Sequence, residues 1–408
     1  MRGIYMTSKS RLNTAMRLGI PDRVPVMCQL SIGHYFLQAG IDPLEIWFTS
    51  EGFAAALHTL QQRYRFDGIL VNLPGRDPQW QRHLLAVEKH AGETRMRWRN
   101  GNYTVVPDDD NPHYYQADGS RYFPEFDDID PEQLYYIEPW DLTDITYPYT
   151  WGFEEAPRPF DDFFPDYHLD PLKRVLEFCG DTVSVHAEVF SPWSQFMDLL
   201  NYENALIAIL DDPEKVKACL ERLTAGAADL ARRQAAAGAD ALLISSAFAG
   251  AGLISREHYR QFVLPYEREI VQAVQRDYDV PVYTHTCGSI GDRLDLMLET
   301  GTNGIDTLDP PPLGTVDLEE AKRFLNGKAF IKGNIDPVNT LLNGDPESIR
   351  KDVQWRLAVG SPGGGYILST ACSVAPHTPG AHILLLAEMA EANAEVGMRS
   401  AEGKIRGA

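Results

Sequence analysis

The chain has 408 residues, 44% hydrophobic and 23% charged, a composition typical of a folded globular protein. Its 58 acidic residues exceed its 37 basic residues, which gives a formal net charge of −21. This surplus argues against nucleic acid or an anionic membrane as the main partner. No apolar run approaches the roughly 20 residues that span a bilayer, and the amino-terminal segment lacks the apolar core of a secretory signal. We therefore expect a cytoplasmic protein.

The cysteines are few, odd in number and scattered along the chain. This pattern indicates reduced thiols rather than a disulfide framework. Any cysteine with a special role is therefore expected to be a metal ligand or a nucleophile. The five positions are Cys28, Cys179, Cys219, Cys287 and Cys372.

Short apolar or β-branched runs recur along the chain, and most of them are followed by a longer amphipathic stretch. Eight such strands alternating with helices predict a parallel (β/α)8 barrel of the TIM type, with a doubly wound open sheet as the alternative. Helical patterns include residues 257–278 and 291–301, the second ending at Gly301. The eight predicted strands cover residues 24–29, 68–72, 182–190, 241–245, 281–285, 304–309, 329–334 and 366–370.

Residues 73–180 separate the second and third predicted strands by far more than one helix requires. We interpret them as an insertion in a single barrel domain that covers residues 1–408. The alternating residue pattern on both sides of Asn100-Gly101 predicts a β-hairpin with a tight turn. The acidic and aromatic stretch at 107–142 is either a solvated excursion over the barrel rim or a lid whose aromatic residues cover the active site.

The fifth predicted strand ends in the sequence "PVYTHTCGSIGD". Side chains at i and i+2 of a strand share one face, so His285 and Cys287 are expected to project together from its carboxyl end, where barrel enzymes build their sites. Cys372 follows the eighth strand and Glu188 lies near the end of the third, both at that same end. One imidazole, two thiolates and an oxygen or water form a plausible tetrahedral zinc site with one position open to substrate.

Other polar residues at predicted strand ends are candidates for substrate contacts. Each has a structural alternative, because "GNID" could cap the next helix and "LDPPPLG" could be a rigid turn. His377 is interpreted as a loop residue and His186 as a core histidine. The candidates are His34, Tyr35, Asn72, Asp306, Asp309, Asn334 and Asp336.

Three motifs carry a resemblance to a known family: "HTCGSI", "KGNIDPVNTLLNGDPESI" and "YILSTACSVAPHTP". The chain resembles the uroporphyrinogen decarboxylase superfamily, and within it the zinc-dependent corrinoid methyltransferases. The resemblance implies a (β/α)8 barrel and catalytic zinc (Zn2+) bound through His285, Cys287 and Cys372. Glu188 is our candidate for the fourth ligand. Relatives of this kind form homodimers, which we expect here.

The resemblance is weaker toward the decarboxylases that give the family its name. Their first strand is followed by arginines that hold substrate carboxylates, whereas residues 28–40 contain neither arginine nor lysine. The DxHxxG pattern of cobalamin-binding domains is also missing, since Asp166 and His168 are followed by Pro171 where glycine is needed. A corrinoid (methylcobalamin) would therefore arrive on a partner corrinoid protein.

Three functions remain open from the sequence. The first is methyl transfer between a corrinoid and a small molecule, which is either a thiol acceptor or a methylated donor. The second is decarboxylation of a tetrapyrrole or another small acid. The third is non-catalytic binding of a corrinoid or tetrapyrrole.

Overall fold

The structure is a computed structural model that describes residues 6–120, 123–138 and 159–406. Within these ranges, seven strands form a parallel sheet in which each strand lies beside the next one in the chain. Such winding curls a sheet toward a barrel. The strands are β1 (Gly68–Val71), β6 (Ser184–Phe190), β7 (Ala241–Ser245), β8 (Val282–Thr286), β9 (Gly304–Thr307), β10 (Phe330–Ile335) and β11 (Tyr366–Thr370).

The barrel-type fold predicted from the sequence is confirmed, with a correction at the first strand. Residues 24–29 form no strand; Val26 makes only an isolated parallel bridge to Leu368 of β11. The Val26 carbonyl also accepts a hydrogen bond of 2.7 Å from the amide of Asp67, just before β1. Pro25 has no amide hydrogen, which limits a regular ladder. This segment nevertheless links the two edges of the curled sheet.

Helices alternate with the strands and pack against them. The pattern at 257–278 predicts a helical stretch, but the structure divides it at Val263, because Pro265 in the following turn has no amide hydrogen. The helices are α1 (Ser8–Met16), α2 (Ile32–Gln38), α3 (Pro43–Phe48), α4 (Ser50–Tyr64), α5 (Asp170–Cys179), α6 (Pro192–Leu200), α7 (Tyr202–Asp211), α8 (Pro213–Ala236), α9 (Arg256–Phe262), α10 (Leu264–Asp277), α11 (Leu294–Glu299), α12 (Leu318–Leu325), α13 (Pro346–Gly360) and α14 (Gly380–Arg406).

A second, antiparallel sheet lies between β1 and α5, inside the segment interpreted as an insertion. Its strands are β2 (Leu84–His90), β3 (Glu93–Trp98), β4 (Tyr103–Pro107) and β5 (His113–Tyr115). Strands β3 and β4 form a hairpin across Asn100-Gly101, where Gly101 has a φ of 95°. Part of the stretch considered as a lid, residues 121–122 and 139–142, lies outside the described ranges, as do residues 143–158. The boundaries of the insertion stay a prediction.

The amino end of the barrel is closed by α1. Leu12 and Met16 of this helix join a buried apolar cluster with inward-facing strand residues such as Leu70, Leu243 and Tyr283. Closure of this end leaves the carboxyl ends of the strands as the place for a site, as in other barrels of this type. Within the described part of the chain, none of the helices combines the length and apolar character needed to cross a lipid bilayer.

Candidate metal centre

Three residues predicted as metal ligands converge at the carboxyl end of the barrel. One ligand atom from each of His285, Cys287 and Cys372 lies within 4.8 Å of the others. His285 Nε2 is 3.3 Å from Cys287 Sγ, which is 3.7 Å from Cys372 Sγ. One imidazole and two sulfurs directed at a common point are a donor set that suits zinc.

The barrel explains why residues far apart in sequence meet here. His285 shares a strand face with Tyr283, whose ring lies inside the barrel, and Cys287 follows immediately after β8. Cys372 lies two residues beyond the end of β11. Since both parallel strands end on the same side of the curled sheet, the 85 residues that separate the two cysteines do not keep them apart.

A buried ion-pair chain orients the His285 ring. His285 Nδ1 lies 3.1 Å from Asp306 Oδ2, and Lys332 Nζ lies 3.0 and 3.1 Å from the two oxygens of Asp306. A ring that donates from Nδ1 keeps the Nε2 lone pair for a metal, a common arrangement around metal-bound histidines. Asp306 therefore supports His285, while its predicted contact with substrate stays a prediction.

Sequence reasoning missed Lys332. The sequence does contain an indication of its role, because a lysine inside the apolar run "FIKGNI" must pair with an opposite charge when the strand is buried. Lys332 is 1% exposed and Asp306 is also 1% exposed. Burial of both charges makes their pairing a requirement of the fold as well as of the site.

The electrostatics of the three ligands favour a charged sulfur. Burial opposes protonation of His285, but Asp306 and Cys372 together raise the pKa of this imidazole to about 10. The hydrogen bond from Cys287, helped by His285, holds the pKa of the Cys372 thiol well below its usual range despite burial. The same contact with Cys372, together with burial, raises the pKa of Cys287. Cys372 is thus prepared to act as a thiolate.

The turn after Cys287 is fixed by Asp309, another of the residues proposed from the sequence. Its Oδ2 accepts a hydrogen bond of 2.6 Å from the amide of Gly288, whose φ is 77°. Burial raises the pKa of Asp309 to about 6, although the hydrogen bond from Gly288 opposes this. Asp309 therefore positions the loop that carries a candidate ligand.

Glu188 lies in β6 but outside the group of three ligands. Its side chain bonds to that of Ser245 on β7, and burial raises its pKa to about 7 even though His285 opposes the rise. Its Oε2 has no hydrogen-bond partner among the described residues. The role of Glu188 as a fourth ligand remains a prediction.

His34 and Tyr35, also proposed as substrate contacts, lie on α2 and are buried. The two ring nitrogens of His34 lie 3.0 Å from the carbonyl oxygen of Pro376 and 2.8 Å from the hydroxyl of Tyr64. His34 thereby holds the loop that follows Cys372. Burial, together with the charge of Glu188, raises the pKa of Tyr35.

The remaining candidates lie at neighbouring strand ends. Asn334 donates a hydrogen bond of 2.8 Å to the carbonyl of Leu308 and accepts another from Arg356, so its amide is used inside the protein. Asp336 caps the turn that follows, as the sequence alternative predicts. Asn72 follows β1 and lines a small cavity together with Glu188.

Two histidines were interpreted from the sequence as structural. His186 lies fully buried between the hydroxyls of Ser184 and Tyr283, which confirms a core histidine. His377 lies in the loop after Cys372, with Nε2 2.7 Å from Asp109 Oδ2 of the segment that follows β4. The connection between β4 and β5 therefore contacts the loop that follows a candidate ligand.

Together, the fold and the cluster define a barrel protein with a candidate soft-metal centre at the carboxyl ends of its strands. The uroporphyrinogen decarboxylase (URO-D) family model matches residues 153–392, and the chain belongs to this family.

Relatives with two different names are similar to the chain. The methylcobamide:CoM methyltransferase MtbA of Methanosarcina acetivorans is 30% identical over 223 residues, 55% of this chain and 62% of that protein. A uroporphyrinogen decarboxylase of Alkalilimnicola ehrlichii is 30% identical over 236 residues, 56% of this chain and 61% of that protein. The chain therefore spans about three fifths of the length of these relatives.

A solved structure of similar fold is a methyltransferase from Methanosarcina mazei. The two chains superpose with a TM-score of 0.67 over 95% of this chain and 98% of that one, at 18% sequence identity. This similarity shows that the fold extends over almost the whole chain.

Proposed function

We propose that this protein is a zinc-dependent methyltransferase that moves a methyl group between a small molecule and a corrinoid carried by a partner protein. The observation that carries the proposal is the convergence of His285, Cys287 and Cys372 at the carboxyl end of the barrel. The similarity to a protein named as a methylcobamide:CoM methyltransferase supports the same class of reaction.

The residues present fit a zinc ion. Nitrogen and sulfur donors are the ligands that zinc prefers, and three protein ligands leave a position for substrate. His285, Cys287 and Cys372 would hold the ion, with Asp306 and Lys332 fixing the imidazole behind it. When bound, zinc would act as a Lewis acid on the heteroatom that gains or loses the methyl group.

The protein's own groups would orient the small molecule and the ligands. Asp306 keeps the proton of His285 on Nδ1, Asp309 fixes the turn after Cys287, and His34 holds the loop after Cys372. Each therefore preserves the geometry of one ligand. The direction of transfer, the partner corrinoid protein and a homodimer are further parts of the proposal.

A decarboxylase function receives less support from the charges near the site, although several relatives carry that name. An acidic substrate requires cations, and residues 28–40 supply no arginine or lysine. Among the described residues at this end of the barrel, Lys332 is paired with Asp306, and Arg76 acts on Glu138. We therefore favour methyl transfer.

Metal analysis and a methyl-transfer assay test the proposal. We expect about one zinc ion per chain in the purified protein, as for a three-ligand catalytic site, and loss of zinc in the Cys287→Ser/Cys372→Ser double variant. Cys179→Ala, which changes a buried cysteine on α5, is the matched control and should retain zinc. Incubation with methylcobalamin and a panel of thiols should demethylate the corrinoid only in the zinc-retaining proteins. Absence of zinc from the wild-type protein would contradict the proposal.

A further inference from the structure

Buried oxygen atoms without hydrogen-bond partners line one cavity at the carboxyl ends of β1 and β6. Within the described part of the chain these include Glu188 Oε2, Asn72 Oδ1 and Gln234 Oε1. The three residues line one cavity of about 20 Å3. All three are buried: Glu188 is 8% exposed, and Asn72 and Gln234 are each 6% exposed. Native proteins seldom leave buried polar atoms unpaired, so such a cluster marks the position of a ligand group or of ordered water.

The unpaired atoms share one chemical property, because all of them accept hydrogen bonds. Gln234 Nε2 donates a bond of 2.8 Å to the main-chain oxygen of Glu188, which identifies Oε1 as the unpaired atom of this amide. Asn72 contributes an amide oxygen and Glu188 a carboxylate oxygen. A group placed among them must therefore donate hydrogen bonds.

The charges around Glu188 also favour a cation. Glu138 lines the same cavity, and the charge of Glu188 contributes to raising its pKa, after burial. Asp306 likewise opposes ionisation of Glu188. Of the neighbouring cations, Lys332 is paired with Asp306 at 3.0 Å, and Arg76 acts on Glu138. An anionic group in this cavity would be repelled by the Glu188 carboxylate, whereas a cation would be attracted by it.

Glu188 lies close enough to the metal centre to contact the same molecule. Its side chain bonds to Ser245 of β7. Ser245 in turn lies opposite His285 in the register of β7 and β8. β6 and β8 lie on either side of β7, roughly 10 Å apart at about 4.8 Å per strand spacing. A small molecule that spans this distance would reach from the His285 ligand cluster toward the Glu188 carboxylate.

We propose, as an extension that rests on the proposed function, that the small molecule carries a protonated amine whose N–H groups donate to Glu188. This assigns the substrate to the amines and excludes sulfonated and carboxylated molecules of the same size. This role of Glu188 replaces the one predicted for it as a fourth metal ligand. Asn72 and Gln234 complete the acceptor set of the cavity.

Two thiols that differ only in the charge of their tail test the assignment. We would titrate zinc-loaded protein with 2-mercaptoethylamine and with 2-mercaptoethanesulfonate by isothermal titration calorimetry. A charged hydrogen bond contributes about 1.5–3 kcal/mol, so the amine should bind at least about tenfold more tightly. Glu188→Gln should abolish most of this preference, and Asn72→Asp, which adds a carboxylate at the cavity, should increase it. Glu319→Gln, at an exposed carboxylate of α12, should leave it unchanged.

A second measurement keeps the inference independent of zinc. The thermal midpoint of metal-free wild-type protein should rise with methylammonium chloride more than with sodium chloride at equal ionic strength, and Glu188→Gln should lose this difference. Equal affinity for both thiols would mean that the cavity holds only water, which overturns the inference and leaves the proposed function intact. If neither thiol binds the zinc-loaded protein and the wild-type protein shows no methyl transfer, the proposed function fails. The methylammonium measurement then decides the inference. If methylammonium chloride raises the thermal midpoint no more than sodium chloride does, the inference is overturned.

Discussion

At the scale of single residues, the candidate site depends on side chains that are not themselves metal ligands. Asp306 receives His285 on one side and Lys332 on the other, with all three side chains buried in the barrel. An imidazole held in this way is fixed in direction before a metal arrives, and it has to lose only its Nε2 proton to bind the metal. The quality of the metal site should therefore depend on a carboxylate that is not itself a ligand.

Replacement of Asp306 tests this dependence. Asp306→Asn removes the charge that holds the His285 proton on Nδ1 and leaves Lys332 without its partner. We expect zinc affinity to fall about 10- to 100-fold, the usual cost of losing such a support, measured by competition with a chromophoric chelator. Glu320→Gln, at an exposed carboxylate, is the control. Unchanged affinity in Asp306→Asn would show that the His285 ring is held by packing alone.

A buried carboxylate away from the metal centre makes stability depend on pH. Glu267 of α10 is fully buried, and burial raises its pKa to about 7 although Ser246 and Tyr259 bond to it. The unfolded value is about 4.3. A raised folded-state pKa gives stability that is present below pH 4.3 and is lost as the pH rises through 7.

Glu267→Gln should remove this pH dependence. Its free energy of unfolding relative to wild type should increase by up to about 3 kcal/mol between pH 4.5 and pH 8, because a pKa unit corresponds to 1.36 kcal/mol. Urea denaturation at several pH values measures the difference. Glu269→Gln, on the exposed side of the same helix, is the control. A constant difference between Glu267→Gln and wild type across this range would contradict the prediction.

At the scale of elements, strands β6 to β11 could be predicted from β-branched runs because each is buried on both faces. Residues 24–29 were predicted as a strand but make only an isolated bridge, since their pairing depends on closure of the barrel edges around Pro25. Two candidate ligands, His285 and Cys287, could be paired from strand periodicity alone. Lys332 was missed, because a sequence pattern does not reveal which charge of another strand a buried lysine will meet.

Contact between α2 and the segment after β4 gives an element-scale prediction. A Cβ on Gly33 of α2 would overlap the carbonyl oxygen of Asp109, so Gly33→Ala must displace one of the two. We expect a loss of about 1–3 kcal/mol in the free energy of unfolding, as for other overpacked positions. Gly252→Ala, where nothing lies within 4 Å of the added atom, is the control. Equal loss in both variants would contradict this view of the contact.

At the scale of the whole molecule, the candidate ligands connect parts of the barrel that are distant along the chain. His285 lies in β8 and Cys287 directly follows it, whereas Cys372 follows β11, and α1 closes the opposite end. A metal bound to all three residues would exist only in the folded state, since the unfolded chain does not hold them together. Its binding free energy therefore adds to the stability of the complete barrel.

Metal removal should consequently lower global stability. With free zinc about 1,000-fold above its dissociation constant, binding contributes about 4 kcal/mol, so a chelator should lower the thermal midpoint of the wild-type protein by several degrees. The double variant Cys287→Ser/Cys372→Ser should melt at the same temperature with and without chelator. Differential scanning calorimetry at a fixed protein concentration measures both. A chelator effect of equal size in the two proteins would place the stabilising metal elsewhere, because only the wild-type chain retains the two sulfur ligands that join β8 to β11.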